Sequence, residues 1–568
     1  MNSIEGTEGG AGPLVTGLCG ALFLLAALPT LIAAALPPSG LDGYGSTMFI
    51  NDFAQYEAAM AEGGRSTDWR IHDHFTPELH EPALMWPLYV AVGKLSTVIG
   101  IPPILVYRAV ELLSRAILLA TIVWAASRLL SRPSPLAIVF ASAGSGLGVW
   151  AALAQAAIGI PQPYGGNGSY EMNNYALLFA PPHVALGMAA TLILIVMLVG
   201  NSGRWSGRRL LALVGANIAL CLLHPFNEVS ILVVAGALAL IDLTRAGGNA
   251  PKVQDRTTAG DKPPPYRNDE RLQRPSATPP IGAAFGLRSI APLGLLVASG
   301  APFVAYSALT FVGDPFWNST YGTQNVLPSP APHELIVDLG ILMLVGIPAV
   351  ISLWHRDGRD RRLAIALVIM LVLMYAPVPF QRRLAFGVAP LLGIVAGAAI
   401  GQFISVGGAA RLPRLGGTLA AALTLGSPGI VYAGMLVSSA RNEPLPVYRA
   451  SSDLSETRRW LATSSAPTDV VLGSWDVMNY LAGAVPGRTV GGHPVATVDS
   501  KARKEAVDSL FRVDPSDASL RASLPDGGPL PRATLMIAST VAPPRLTAEG
   551  ALIHRVGDIG VWRLSPAP

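Results

Sequence analysis

The stretch "ALMWPLYVAVGKLSTVIGIPP", Ala83 to Pro103, decides how the rest of the chain is threaded. It is apolar, but Lys94 interrupts it and Pro102 and Pro103 close it. A crossing helix needs ~20 predominantly apolar residues to bridge a hydrocarbon core of ~30 Å. A helix lying in the membrane interface fits this segment better. The loop charges decide the matter. With the segment interfacial, Arg128 and Arg132, then Arg204, Arg208 and Arg209, share one side with the 245–288 linker, "RDGRDRR" at 356–362, and Arg411 with Arg414. The positive-inside rule makes that side cytoplasmic. A crossing at 83–103 would put Arg128, Arg132 and the later basic loops outside.

Working outward, apolar runs start near residues 13, 103, 135, 175, 209, 227, 289, 335, 361, 384 and 416. Each can cross a membrane as a helix, which makes about eleven transmembrane helices. Composition agrees. The 568-residue chain is 51% hydrophobic and only 13% charged, against about a quarter charged for a soluble protein. A closed barrel would need alternating strands, and that pattern is absent. The net charge of +4 lies in loops and implies no nucleic-acid partner. Cys19 and Cys221 fall inside apolar runs, so no disulfide framework follows. The first residues, "MNSIEGTEGGAG", carry two glutamates and no Lys or Arg, unlike a cleaved signal peptide. The first span is therefore retained, with the N-terminus cytoplasmic.

The expected fold class is an α-helical polytopic membrane protein with a small extracytoplasmic α/β C-terminal domain. Residues 1–440 form the membrane module and 441–568 the tail domain. The first outer loop is 38–102 with its interfacial helix. The Pro-rich, charged linker 246–288 cannot bury a core and is expected to be a disordered cytoplasmic loop. In the tail, "DVVLGS" reads as a strand, "VMNYLAGAV" and "SKARKEAVDSLFRV" as helices, and "ATLMIAS" and "GALIHRVGDIGVWRLS" as further strands.

Chemistry-bearing residues collect on the outer face. Asp52 lies in "NDFAQY", close to where the first span emerges, and "STDWRIHDHFTPELHEP" follows it. A second outer loop supplies Glu171, Asn173 and His183, and "LLHPFNE" supplies His224. "APVPFQRRLAFG" carries Arg382 and Arg383 on an otherwise sparsely basic face. A carboxylate there can take the proton of an attacking hydroxyl, and arginines can hold a phosphate leaving group through bidentate hydrogen bonds.

The long first span followed by "NDFAQY" and "HEPALMWPLYVAVGKLSTVIGIPP" resembles the C superfamily of glycosyltransferases, polytopic enzymes that use polyprenyl-phosphate sugars. "EMNNYALLFAPPH", "PFQRRLAFG" and "GRTVGGHPVATVDSKARKEAVDSLF" look like bacterial members of unassigned specificity. The resemblance implies that Asp52 is the general base and that Glu171 matches the second-loop acid which, in some members, helps a metal or positions the acceptor. It implies donor-phosphate contacts from Arg382, Arg383 and Arg108, and substrate contacts from Tyr56, His80, Asn173, His183 and His224. Many members have two adjacent acids where this chain has Asn51 before Asp52. No metal ligand is assigned and no cofactor is certain; a divalent metal, Mg or Mn, is left open. The implied partners are a polyprenyl-phosphate sugar donor, a glycan, lipid or protein acceptor, and membrane lipids; the location is the plasma membrane.

Blander readings stand beside these. His72, His74 and His80 with Asp73 match no compact zinc signature. Arg108, Glu111 and Arg115 share one helix face and could simply neutralise one another. Gly491 and Gly492 before His493 read as a turn. Two other classes remain: a transporter or lipid flippase, for which no internal repeat is found, and a non-catalytic membrane scaffold related to the glycosyltransferases.

Overall fold

The computed structural model describes residues 11–35, 41–43, 50–131, 134–160, 171–200, 205–248, 281–322, 326–406, 411–440, 449–512, 533–541 and 550–564. Most of the expected linker therefore lies outside the described residues.

The chain opens with α1 (Ala11–Ala35) and a three-residue strand, β1 (Leu41–Gly43). Helices α2 (Ile50–Arg65) and α3 (Pro87–Ile99) precede the long α4 (Pro103–Leu129). Next come α5 (Pro135–Ala143), α6 (Gly148–Ala157) and the single turn α7 (Asn174–Leu177). The bundle continues with α8 (Pro182–Gly200), α9 (Gly207–Leu223), α10 (Asn227–Gly248) and α11 (Ile281–Ala308). After the short α12 (Pro315–Trp317) it closes with α13 (Pro332–Leu339), α14 (Ile341–Trp354), α15 (Arg359–Leu373), α16 (Val388–Val406) and α17 (Arg411–Ala440).

Among the described residues, six helices are long and apolar enough to cross a membrane, or up to eight if each of two bent pairs is one span. Helices α5 and α6 meet at 63°, and α13 and α14 at 103°. Three further expected spans are helical but shorter: the apolar part Pro13–Leu28 of α1, α9 with 17 residues, and α15 with 15 residues. The count of about eleven from apolar runs is thus higher than helix length alone supports. Apolar runs register composition and cannot register a bend. The core is continuous, with Leu118, Met188, Leu192, Leu367 and Leu392 all fully buried in one cluster.

Helix α3 has 13 residues, about 20 Å of helix at 1.5 Å per residue, too short to cross. Proline sits at its start and Gly100 caps its end. Lys94 donates from Nζ to Ser66 O at 2.6 Å and lies 5.4 Å from the centre of the Trp69 ring. It therefore pins α3 to the end of α2.

The 38–102 region differs from the expected loop, because α2 is a second helix and Asp52 stands in its first turn. Its Ala, Glu, Gln and Met residues favour helix, and an acid in the first turn complements the helix dipole. Phe53, Tyr56 and Met60, spaced along one face, are buried against Tyr89 and Val90 of α3. The two helices touch so closely that a Cβ on Gly93 would overlap the Met60 carbonyl.

In the tail follow β2 (Arg449–Ser451), α18 (Ser452–Ser464), β3 (Val470–Leu472), α19 (Trp475–Leu481), β4 (Arg488–Thr489), α20 (Ser500–Arg512), β5 (Leu535–Ser539), β6 (Gly550–Val556) and β7 (Ile559–Leu564). The five-stranded sheet has the order β4-β3-β5-β7-β6. Strand β3 runs parallel to β4 and β5, while β7 is antiparallel to β5 and β6. Each strand and helix expected in the tail is present. The sequence did not reveal how the tail returns to the start of the chain. Strand β2 pairs antiparallel with β1, and Ala482 and Ala496 join the buried cluster around Phe53 and Tyr56.

Candidate functional site where helix, loop and tail meet

The site begins at Asp52, whose carboxylate is 39% exposed. Its Oδ1 lies 3.8 Å from His493 Nε2, contributed by the tail. Gly492 adopts φ +123°, a left-handed conformation that an L side chain rarely takes, and the turn it makes presents His493. Asn479 Nδ2 donates to Gly492 O at 3.0 Å, and His493 N donates to the Thr497 hydroxyl at 3.2 Å. The imidazole is fully buried. Its Nδ1 accepts from the backbone N–H groups of Val495 at 3.2 Å and Ala496 at 3.0 Å. That places the proton on Nε2, which faces the Gln55 amide at 2.6 Å and Asp52.

An aromatic layer lies beside the base. Tyr56 stacks on Tyr89 with ring centres 4.3 Å apart, and Trp86 meets Tyr56 edge-on at 5.0 Å. Trp86 holds φ 52° immediately before Pro87, a backbone strain of about 1–3 kcal/mol for a non-glycine residue. That strain aims its indole at both Tyr56 and His183. His183 bonds the Tyr89 hydroxyl through Nδ1 at 2.8 Å. Its ring also meets Tyr56 edge-on at 5.3 Å, and both Asp52 and Arg383 lie within electrostatic range of it. His224 is also buried and stacked face to face on Phe386 at 4.1 Å. Neither of its ring nitrogens has a hydrogen-bond partner among the described residues.

Arg383 lies over the Phe226 ring at 5.4 Å and forms no ion pair among the described residues. Its neighbour Arg382 points Nε at Glu171 Oε2, 3.8 Å away. Glu171 is almost fully buried. The structure thus draws Asp52, Tyr56, His183, His224 and Arg383 into one neighbourhood, and pairs Glu171 with Arg382 next to it.

The other expected site residues have structural partners. Asn173 caps α7 by accepting from Tyr175 N. His80 uses both ring nitrogens, one accepting from Asp73 N at 2.8 Å and one facing Glu78 O at 2.8 Å. Its ring stacks on Phe316 at 3.9 Å, and burial pushes its pKa down to about 4. Arg108 pairs with Glu111 at 2.7 Å, Arg115 pairs with the same carboxylate at 2.8 Å, and Arg115 also reaches Ala26 O. This network closes on itself within α4 and α1.

Each site acid faces a nitrogen group, Asp52 toward His493 and Glu171 toward Arg382. Among the described residues no group of three His, Cys, Asp or Glu side chains is placed to hold a metal ion.

Sequence reading missed His493, Gln55, Trp86 and Tyr89. The available signal was the tail stretch "GRTVGGHPVATVDSKARKEAVDSLF", in which the glycines pointed to a turn without saying what the turn faces.

No protein-family model matches the chain, and no curated protein matches it. Solved glycosyltransferase structures resemble its fold. An archaeal oligosaccharyltransferase, AglB from Archaeoglobus fulgidus, in complex with an inhibitory peptide and a dolichol-phosphate, is 10% identical with TM-score 0.49, over 93% of this chain and 69% of that one. ArnT from Cupriavidus metallidurans bound to undecaprenyl phosphate is 11% identical with TM-score 0.41, over 99% and 100%. The arabinofuranosyltransferase AftD from Mycobacteria is 13% identical with TM-score 0.44, over 98% of this chain and 40% of that one. Identities and TM-scores at this level assign neither an activity nor a residue role to this chain.

Proposed function

We propose that this chain is a multi-pass membrane glycosyltransferase that moves a sugar from a polyprenyl-phosphate donor to an acceptor hydroxyl on the extracytoplasmic side. One observation carries the reading: a half-exposed carboxylate, Asp52, and a cation without an ion-pair partner among the described residues, Arg383, both lie within electrostatic range of His183, whose ring meets Tyr56, Trp86 and Tyr89. A base and an anion-binding group near one aromatic cluster are what this reaction needs.

Asp52 takes the proton from the acceptor hydroxyl as its oxygen forms a bond to the anomeric carbon. The bond from that carbon to the phosphate oxygen breaks, and its electron pair leaves on the phosphate. Arg383 binds that phosphate, and Arg382, held by Glu171, supports it. A single displacement inverts the anomeric centre. Tyr56, His183 and His224 flank the sugar and acceptor; a glycan, lipid or protein hydroxyl would serve. In the proposed threading of a plasma membrane, the six long helices, the two bent pairs and the shorter α1, α9 and α15 each cross once, with the N-terminus in the cytoplasm and the tail outside.

The test is transfer of radiolabelled sugar in membranes, comparing the native chain with Asp52→Asn over a panel of polyprenyl-phosphate sugars. Asp52→Asn should lower transfer about 10²- to 10⁴-fold at unchanged expression, the usual worth of a general base. Equal transfer by both would remove Asp52 as the base. An inactive native chain across the panel would favour a scaffold or a flippase.

A further inference from the structure

We infer that the tail supplies a positioning residue to the active site: His493 fixes the Asp52 carboxylate in the orientation that accepts the proton. The inference rests on the reading of Asp52 as base.

The ring cannot be an incidental neighbour, because every polar atom on it is assigned. Two backbone N–H groups converge on Nδ1, which leaves Nε2 as the donor. That N–H lies near two side chains of α2: the Gln55 amide, whose nitrogen stands 2.6 Å from Nε2 and 3.1 Å from Nδ1, and Asp52 at 3.8 Å. Two donors cannot face one another, so the tautomer set by the two backbone N–H groups requires the amide in its flipped orientation, oxygen toward Nε2. Phe75 backs the ring at 5.1 Å, and the His493 backbone and the Thr497 hydroxyl complete the restraint. The imidazole is fully buried, whereas the carboxylate it faces is open to solvent along one side. A free carboxylate rotates about its Cβ–Cγ bond and presents either oxygen in any direction. At 3.8 Å the N–H stands beyond hydrogen-bond length but within reach of Oδ1; a small approach when the acceptor binds would let it hold that oxygen and leave Oδ2 free for the acceptor. The base thus lies on α2 and its orienting group on the tail, so the site is complete only when the tail is docked.

Docking itself has a separate anchor. Arg458 of the tail forms a 2.5 Å ion pair with Glu57, also on α2 but away from the carboxylate. This contact provides the control.

The experiment measures kcat and donor KM in membranes for the native chain, Asp52→Asn, His493→Ala, His493→Gln and Arg458→Ala, using the polyprenyl-phosphate sugar that the native chain transfers. His493→Ala should lower kcat about 10- to 100-fold, the cost of a small misplacement of a reacting group, with donor KM within about twofold. His493→Gln keeps a donor near the position of Nε2 and should recover much of that loss. Arg458→Ala removes one docking contact of several, leaving Arg503 on Glu78, Arg488 on Glu78 O and the β1–β2 pairing, and should leave kcat near native. A native kcat for His493→Ala, with Asp52→Asn inactive, would overturn the inference and leave the reading of Asp52 intact. Equal losses in His493→Ala and Arg458→Ala, with no recovery in His493→Gln, would reduce His493 to a docking contact and also overturn it. Native activity in Asp52→Asn would sink both.

Discussion

His74 and Glu62 meet at 3.0 Å, Nε2 to Oε2, while the other oxygen of the same carboxylate holds His72 Nδ1 at 2.8 Å. The second ring nitrogen of His74 faces Gly487 O, in the tail, at 3.2 Å. One carboxylate on α2 thereby secures the segment that joins the membrane region to the tail. Burial works against the charge on Glu62, but the His72 and His74 bonds outweigh it and bring its pKa from 4.5 down to about 2. A depressed carboxyl contributes stability that is fully present above its unfolded value and is lost as pH falls through the folded one. Native protein should therefore melt above Glu62→Gln at neutral pH, and the gap should close as pH drops from about 4.5 toward about 2. A gap that stays constant over that range would show that the ion pairs contribute nothing.

Asp73 shows the opposite sign. It is buried, and the loss of hydration raises its pKa to about 8, against smaller opposing effects from the Phe75 N–H and Arg488. The unfolded chain gives up this proton near 3.8, the folded one only near 8, so the group costs progressively more stability between those values. Asp73→Asn keeps the acceptor for Phe75 N, a 2.8 Å bond. Its melting temperature should exceed the native one by an amount that grows from about pH 4 to about pH 8 and then levels off. Thermal unfolding followed across pH measures this, and a variant that melts lower at pH 8 would contradict it.

Gly93 sets the spacing of α2 and α3. Because its missing Cβ leaves room for the Met60 carbonyl, Gly93→Ala must push the helices apart, an overpacking cost of about 1–3 kcal/mol. The same displacement separates Tyr56 from Tyr89. Both melting temperature and transfer should fall, whereas Gly100→Ala, with open space around it, should cost only its backbone strain. Equal behaviour of the two variants would show that the helix contact does not matter.

Arg383 is expected to act on the donor. Arg383→Ala should raise donor KM about 10- to 100-fold, the worth of a charge-assisted hydrogen bond or two. Arg383→Lys should recover only part of this, since an ammonium lacks the planar fork. Glu111→Ala should instead act on folding, leaving Arg115 buried without its partner at about 3–5 kcal/mol. Donor titrations and melting curves on the three variants separate these effects.

Much of the architecture was legible from residue patterns. The short helix α3 showed in the brief apolar run with its internal lysine, and the structure gives Lys94 a partner at Ser66 O. The tail strands showed in their β-branched runs, and the closed Arg108–Glu111–Arg115 network showed in its spacing of three and four. Helix α2 was hidden because its apolar face is narrow and its acids resemble those of a loop. Bends such as that between α13 and α14 left no compositional trace. Among the site candidates, His183 and Arg383 meet near Asp52, whereas the nitrogens of His80 are both occupied by backbone partners.

The sequence by itself determined that this is a helical membrane chain and that its C-terminal part forms a small α/β unit. These properties follow from local composition and period, because solvation and backbone pairing are local demands. Only the tertiary structure decided that His493 stands beside Asp52, 441 positions away along the chain (493 − 52). It also decided that Trp86, Tyr89 and His183 pack together around Tyr56. Contacts of that separation depend on strand β2 returning to pair with β1 and on Gly93 letting two helices close. No local pattern carries such information, since packing complementarity exists only between surfaces that the fold has already brought together.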